Sequence, residues 1–292
     1  MIAFVFPGQG SQKRGMGQGL FDEVPEYAEV EREVDAIVGY SMRKMCLEDP
    51  GNQLKLTQYT QPSLYVVNAL HYYKAIAEGQ RPDFLAGHSL GEYNALLAAG
   101  VYDFLTGLQL VKKRGELMSQ ANNGGMGAVI GLEPAKISQV LADAGLGGID
   151  IANFNAPSQT VVSGLNDELK RAGPLFEAAG ARMYMPLPVS AAFHSRYMAD
   201  AARQFAEFLA PMSFSQPNIP VIANVTAEPY PTGCAPATIK ALLTEQITQS
   251  VQWVRSVQQL LNLGATEFRE IGPGNVLAGL VQRIKQEAAE VA

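Results

Sequence analysis

Residues 84–100 read FLAGHSLGEYNALLAAG, and this stretch decides the fold of the chain. An apolar run ends at GHSLG, and the helix predicted after it places Leu90, Tyr93 and Leu97 on one face. The pattern G-x-S-x-G between a strand and a helix is typical of a nucleophile elbow, in which small residues let two backbones pass closely and the serine Oγ points outward. Ser89 is therefore a candidate nucleophile, and the alternative is a small residue at a structural turn.

Strands and helices alternate on both sides of this turn. The predicted strands are Ile2–Phe6, 83–87, Val221–Asn224 and Glu267–Ile271, and the predicted helices are 61–78, 89–100, 103–120 and 275–291. Alternation of this kind predicts an α/β fold with a parallel sheet and helices on both of its faces.

The middle of the chain has a different order of elements. We predict strands at Gly127–Gly131, Gly148–Asn153, Thr160–Ser163 and Arg182–Leu187, and helices at Pro134–Ala144 and Asp167–Ala179. This βαββαβ order is the ferredoxin-like split unit. We therefore expect a subdomain over 124–188, inserted into a larger domain formed by 1–123 and 189–292. Pro174 should kink or shorten the second helix of the insertion.

The composition is that of an ordinary globular protein, with 47% hydrophobic and 17% charged residues among 292. A net charge of −6 gives no electrostatic reason to expect nucleic acid or an anionic membrane as a partner. No apolar run is long enough for a transmembrane helix or a signal peptide, so we expect a cytoplasmic protein. Cys46 and Cys234 lie far apart and suggest buried or incidental thiols, not a metal site.

A nucleophilic serine needs a base, and the chain has only three histidines. His71 lies among core-type positions of a helix. His88 neighbours Ser89 on a strand end and should point to the opposite face. His194 remains, just past the insertion, where a cleft between domains is expected; the alternative is a partly buried loop histidine. No acid stands out as a third member, so a serine–histidine dyad is predicted, oriented by a backbone carbonyl or an amide side chain.

An acyl–serine ester forms through an oxyanion, which needs preorganised N–H donors. One is expected from Leu90, the residue after the serine. A second is predicted from Gln9 in the turn FPGQG, although this could be a glycine turn only. The segment GQGSQK lacks the third glycine of a dinucleotide fingerprint, and no Gly-Lys-Ser/Thr follows for a P-loop.

One arginine lies on an apolar helix face. Phe104, Leu108, Val111 and Met118 form a stripe at helical spacing. Arg114 lies on that stripe, and an inward cation needs an anion because an unpaired buried charge is expensive. Two partners remain open, an internal carboxylate and a substrate carboxylate held by two-point contact.

Several motifs together resemble one family. They are FVFPGQGSQ, GHSLGEYNALLAAG, KKRGELM, NAPSQTVVSG, SAAFHS and EIGPGNVLAGL. In this order and spacing, over residues 2–284, they resemble the malonyl-CoA:acyl carrier protein transacylases, and most of all the discrete acyltransferases that serve trans-acyltransferase polyketide synthases. The resemblance implies an α/β-hydrolase-like core with a ferredoxin-like insertion.

The resemblance also implies a role for each matching position. Ser89 matches the nucleophile, and His194 matches the base. Gln9 and Leu90 match the oxyanion-hole amides, and Arg114 matches the residue that binds the malonyl carboxylate.

Three further positions match with finer detail. Gln246 matches the glutamine whose backbone carbonyl orients the histidine, and Asn155 matches a position at the cleft. Phe193 lies in Ala-Phe-His, the form that accompanies malonyl specificity, whereas Ala-Ser-His accompanies methylmalonyl. Its bulk would crowd an α-methyl branch, although plain core packing is the alternative. Ala191 stands where the modular malonyl motif usually has histidine.

The implied reaction moves a malonyl group from malonyl-CoA, through a malonyl–Ser89 ester, to the phosphopantetheine thiol of an acyl carrier protein, in polyketide or fatty acid biosynthesis. The expected partners are the coenzyme A thioester and the carrier protein. No metal or tightly bound cofactor is expected, and a monomer suffices. Three alternatives remain. A hydrolase of carrier-protein thioesters has little use for Arg114, and a non-catalytic docking module does not need Ser89 and His194. A general esterase is a more distant alternative.

Overall fold

The computed structural model describes residues 1–291 and contains eight strands in two sheets. The strands are β1 (Ile2–Phe6), β2 (Phe84–Gly87), β3 (Gly124–Ile130), β4 (Asp150–Ala156), β5 (Gln159–Leu165), β6 (Met183–Pro186), β7 (Val221–Ile222) and β8 (Glu267–Glu270). The helices are α1 (Leu20–Glu23), α2 (Pro25–Val38), α3 (Met42–Glu48), α4 (Thr57–Ala77), α5 (Gly91–Ala98), α6 (Phe104–Ser119), α7 (Pro134–Asp143), α8 (Asn166–Ala178), α9 (Ala199–Leu209), α10 (Pro236–Glu245), α11 (Trp253–Asn262) and α12 (Val276–Val291).

The first sheet is parallel throughout and has the order β7-β2-β1-β8. Alternate side chains of β1 enter two separate cores, Phe4 and Phe6 on one face and Ala3 and Val5 on the other. A parallel sheet is stable in this form because helices cover both faces. The predicted parallel sheet is therefore confirmed, and its carboxyl edge brings together the loops after β1, β2 and β7.

The second sheet is antiparallel and has the order β4-β5-β3-β6. With α7 and α8 it forms the βαββαβ unit, and one small core of its own lies between sheet and helices, with Val129, Ile137 and Phe176 fully buried. The predicted ferredoxin-like insertion is thus confirmed. The division at residues 123/124 and 188/189 stays a prediction.

Helix α8 corrects one expectation. Pro174 was expected to kink or shorten it, yet the helix continues through the proline from Asn166 to Ala178. Proline removes one backbone donor, but Leu169 and Phe176 are buried on either side of it. Burial of this apolar face stabilises the helix by more than the lost hydrogen bond costs.

Other elements differ in extent or were not predicted. The strand predicted at Gly148–Asn153 begins at Asp150 and extends to Ala156, and the helix after the elbow is shorter, Gly91–Ala98. Helices α1–α3 and α9–α11 had no counterpart in the sequence analysis. In α11 the spacing of Trp253, Val257 and Leu260, all fully buried, was a usable signal. Within residues 1–291, no helix has both the length and the apolar character needed to cross a membrane.

Candidate active site

The turn between β2 and α5 has the backbone geometry of a nucleophile elbow. A Cβ on Gly91 would lie 1.9 Å from the carbonyl oxygen of Phe6, and one on Gly87 would lie 1.9 Å from the backbone of Gly91. Ser89 has φ +50°, a left-handed conformation that a non-glycine residue rarely adopts. Strain of this kind persists only where the surrounding structure holds it, and it concentrates at functional sites.

Asn224 holds this strained turn in place. Its Oδ1 accepts a hydrogen bond from the backbone N–H of Ser89 over 2.7 Å, and its Nδ2 donates to the carbonyl oxygen of Gly87 over 2.6 Å. Sequence reasoning missed this residue. The available signal was its position just past β7, because the carboxyl ends of parallel strands meet at one edge of a sheet.

The structure brings Ser89 and His194 together. The Oγ of Ser89 lies 2.8 Å from Nε2 of His194, and Nδ1 of His194 lies 2.8 Å from the backbone oxygen of Gln246. A carbonyl only accepts, so Nδ1 carries the proton and Nε2 is the acceptor for the serine hydroxyl. Burial, reinforced by the charge of Arg114, lowers the pKa of His194 to about 3. The imidazole is therefore neutral, which is the form that a general base requires.

Within residues 1–291, the other two histidines form no hydrogen bond with the Ser89 hydroxyl, although His88 lines the same pocket. Nε2 of His88 is 2.8 Å from Oδ1 of Asn155, and its ring packs against Trp253 with centroids 5.6 Å apart. His71 is half-buried on α4, and burial lowers its pKa. Neither arrangement gives the serine a second base.

Arg114 reaches the nucleophile from α6 and is 1% exposed. Its Nη2 donates to the Oγ of Ser89 over 3.1 Å and to Oε1 of Gln246 over 2.9 Å, and the guanidinium lies 5.5 Å from the ring centre of Tyr93. Its Nε is buried without a partner, and none of the ion pairs among residues 1–291 includes it. The internal carboxylate considered from sequence is therefore not in direct contact with Arg114; Glu92 is connected to it through the amide of Gln246, and the arginine has donors left for an anion.

These groups surround a pocket of about 140 Å³. A cavity of about this size accommodates one benzene molecule, so a small acyl group fits. Seven of the eight predicted site residues line it: Gln9, Ser89, Leu90, Arg114, Asn155, Phe193 and His194. The eighth, Gln246, is fully buried behind them.

The two predicted oxyanion donors come from neighbouring loops. A Cβ on Gly8 would lie 2.3 Å from the carbonyl oxygen of His88 and 3.6 Å from the backbone nitrogen of Leu90, so the loop after β1 packs directly on the elbow. Within residues 1–291, neither the N–H of Gln9 nor that of Leu90 donates to a protein acceptor. Both donors are available to a ligand, and their role stays a prediction.

Sequence reasoning also missed Glu92, which is 1% exposed beneath the elbow. Its carboxylate accepts hydrogen bonds from the hydroxyl of Tyr230 over 2.6 Å, from Nε2 of Gln246 over 2.5 Å and from the backbone N–H of Asn224 over 3.3 Å. Burial raises its pKa to about 7. The signal was present, because Glu92 is the single acid in the apolar stretch 84–100.

Enzymes that form acyl–serine esters use three kinds of group. They are a strained serine at the end of a parallel strand, a neutral histidine that is hydrogen-bonded to its Oγ, and two free N–H groups. Comparison with known proteins agrees. The family model described as the acyl transferase domain matches residues 3–292, and the chain belongs to this family.

Individual relatives align over nearly the whole chain. The polyketide biosynthesis malonyl CoA-acyl carrier protein transacylase PksC of Bacillus subtilis is 54% identical over 290 residues, 99% of this chain and 98% of that protein. The crystal structure of a malonyl CoA-acyl carrier protein transacylase from Burkholderia pseudomallei has a TM-score of 0.92 and 47% identity, covering 98% of both chains. A malonyl-transacylase solved in complex with a type II polyketide synthase acyl-carrier protein has a TM-score of 0.92 and 35% identity, covering 98% of this chain and 93% of that one.

Proposed function

We propose that this chain transfers a malonyl group from malonyl-CoA to the phosphopantetheine thiol of an acyl carrier protein, through an ester on Ser89, in polyketide biosynthesis. One observation carries the proposal: the buried, carboxylate-free Arg114 lies 3.1 Å from the Oγ of Ser89. The thioester and carboxylate carbons of malonyl are about 2.5 Å apart across one methylene. A diacid of this length can therefore present its carbonyl to Ser89 and its carboxylate to Arg114 at once. The full-length relatives described above are malonyl transacylases by name.

In the first half-reaction, Nε2 of His194 accepts the proton of Ser89 while Oγ attacks the thioester carbon of malonyl-CoA. The N–H groups of Gln9 and Leu90 hold the oxyanion that develops. The carbon–sulfur bond then breaks, and the thiol of coenzyme A leaves with the proton that His194 returns. The product of this step is the malonyl–Ser89 ester.

In the second half-reaction, His194 takes the proton of the carrier protein's phosphopantetheine thiol, and the sulfur attacks the ester. The bond from Oγ to the acyl carbon breaks, and His194 returns the proton to Ser89. This is ping-pong acyl transfer. No electron is gained or lost, so the reaction calls for no redox cofactor, and His194 with the N–H groups of Gln9 and Leu90 supplies the base and the oxyanion donors that it needs. The enzyme is proposed to act as a monomer in the cytoplasm, where both thioesters are found.

Selection of a diacid follows from the same arginine. Acetyl or a long neutral chain would leave the charge of Arg114 unpaired, and a site built around a buried polar group rejects analogues that lack its partner. This argues against the thioester hydrolase. The neutral His194 on a strained Ser89 argues against a non-catalytic docking module, since neither feature is needed for binding a carrier protein.

Intact-mass measurement tests the proposal. The wild type incubated with malonyl-CoA should gain one malonyl group, Ser89→Ala should gain none, and acetyl-CoA should load the wild type far more weakly. Addition of a phosphopantetheinylated carrier protein should remove the adduct and malonylate the carrier. Release of free malonate with no malonyl carrier would replace the proposal with hydrolysis.

A further inference from the structure

Gln246 connects the reacting groups of the pocket through four hydrogen bonds. Its backbone oxygen accepts from His194, and its Oε1 accepts from Arg114. Its Nε2 donates to the backbone oxygen of Ser89 over 3.0 Å and to the carboxylate of Glu92 over 2.5 Å. Both N–H donors of this amide and its oxygen are engaged. The position of Gln246 therefore determines where His194 and Arg114 lie relative to Ser89.

The orientation of that amide depends on the charges on either side of it. A guanidinium has donors only, and an ionised carboxylate has acceptors only. Between Arg114 and an ionised Glu92, the amide of Gln246 has a single arrangement, with oxygen towards the arginine and nitrogen towards the carboxylate. With a neutral partner in place of Glu92, the amide keeps its bonds to Arg114 and to the backbone oxygen of Ser89 but loses its charge-assisted bond to the carboxylate, so its position is held less firmly.

We infer that Glu92 is a positioning residue of the transfer reaction. Its carboxylate fixes the amide of Gln246 and thereby holds His194 and Arg114 in the correct positions relative to Ser89. The inference rests on the proposed function, since it concerns the same reaction. Glu92 does not touch the acyl group. It acts from beneath the elbow, one helical turn past the nucleophile.

The surroundings of Glu92 place its ionisation in the working pH range. The titratable groups around it are Arg114 on α6, Tyr230 in the loop after β7, Tyr93 on α5 and Tyr102 between α5 and α6. Burial raises the pKa of all three tyrosines, so they stay neutral. The charge of Arg114 reaches Glu92 through the amide of Gln246, with no direct ion pair, and burial leaves the carboxyl with a pKa of about 7.

The pH profile of malonyl loading is the first test. In the wild type, kcat/KM for malonyl-CoA should fall as the pH drops through about 7, because protonation of Glu92 removes the charge-assisted bond that holds the Gln246 amide. His194 does not cause this fall, since its pKa of about 3 keeps it neutral over the range. Glu92→Gln should be slower by about a hundredfold at pH 8, as expected for a misplaced catalytic group, and should show no decline near pH 7.

Tyr230→Phe gives a second, independent test. Loss of the hydroxyl that donates to Glu92 removes stabilisation of the anion and raises its pKa, so the decline should move up by about one pH unit. At pH 9 the variant should recover the wild-type rate. Tyr72→Phe is the matched control, because its hydroxyl donates to the backbone oxygen of Ala98, and its profile should not move.

The outcomes separate this inference from the proposed function. A wild type that gains no malonyl adduct would refute the function. A wild type that loads malonyl while Glu92→Gln matches it at every pH would overturn the role of Glu92 alone. If Glu92→Gln does not fold by circular dichroism, Tyr230→Phe decides, and a decline that stays near pH 7 in that variant overturns the inference.

Discussion

Nη2 of Arg114 lies 3.1 Å from the Oγ of Ser89, so the cation expected to bind the substrate's carboxylate also contacts the nucleophile. The same charge is one cause of the low pKa of His194. Under the proposed function, we expect a substrate carboxylate that pairs with Arg114 to draw it from the serine oxygen and to weaken its effect on the base. Recognition of the acid and activation of the serine would then be coupled through one side chain.

Arg114→Ala should lose malonyl loading selectively. Truncation of one partner of a buried charge pair costs about 2–5 kcal/mol, so kcat/KM for malonyl-CoA should fall by about thirtyfold or more. Loading from acetyl-CoA should fall much less, because acetyl has no carboxylate for Arg114 to bind and loses only the contacts of the arginine with Ser89 and Gln246. Stopped-flow or mass measurement of both substrates checks this, with Lys113→Ala on the same helix as control. Equal losses for malonyl and acetyl would contradict the assignment of Arg114 to the carboxylate.

Phe193 should set the tolerance for an α-branch. It is 5% exposed and lines the pocket beside His194. Phe193→Ser removes bulk at that wall, so methylmalonyl-CoA should gain at least about tenfold relative to malonyl-CoA, in line with the 1–3 kcal/mol that steric discrimination supplies. Competition between the two thioesters, read by intact mass, measures the ratio. An unchanged ratio would leave Phe193 as core packing only.

Gly91→Ala should disrupt the elbow. The added methyl would lie 1.9 Å from the carbonyl oxygen of Phe6, which belongs to the central strand and cannot yield. Overpacking of this severity should lower the free energy of unfolding by about 3 kcal/mol or more. Urea denaturation checks this, with Gly147→Ala as control because its added methyl meets open space. Equal stabilities for the two variants would contradict the close approach of β1 and α5.

His194 should lower the stability of the protein in mild acid, whereas Glu92, whose pKa is raised to about 7, acts in the opposite direction in the wild type and in the variant alike. Its pKa is about 3 in the folded chain and about 6.5 when unfolded. Below pH 6.5 the unfolded state binds a proton that the folded state does not, so between pH 7 and 5 this group removes about 2 kcal/mol of stability. His194→Asn, which suits the left-handed backbone at φ +55°, should lose that much less than the wild type over the same interval. Parallel losses in urea titrations at the two pH values would contradict the low pKa.

Much of the fold follows from local sequence. The glycines around Ser89, the apolar run before it and the helix period after it all lie within 17 residues, where steric and periodic rules act directly. The order βαββαβ was readable for the same reason. The continuation of α8 through Pro174 was not predictable, because the buried residues that stabilise this helix, such as Leu169 and Phe176, pack in a core that forms only in the folded chain.

The sequence predicted which residues form the site, but it predicted only some of the hydrogen bonds between them. Elimination among three histidines pointed to His194, and the apolar stripe pointed to Arg114. Glu92 and Asn224 were missed because their function lies in contacts across the fold: Asn224 holds a turn that is 135 residues away, and Glu92 contacts Gln246 at a separation of 154 residues.

The sequence by itself determined the elbow, the parallel sheet and the insertion, because short-range sterics and hydrophobic periodicity specify them. Only the tertiary structure decided which groups meet around Ser89. The convergence of β1, β2 and β7 at one sheet edge, with α6 and the segment around Gln246 packed behind them, places donors and acceptors within 3 Å of each other. Hydrogen bonds act over such distances alone, so no spacing along the chain could reveal them.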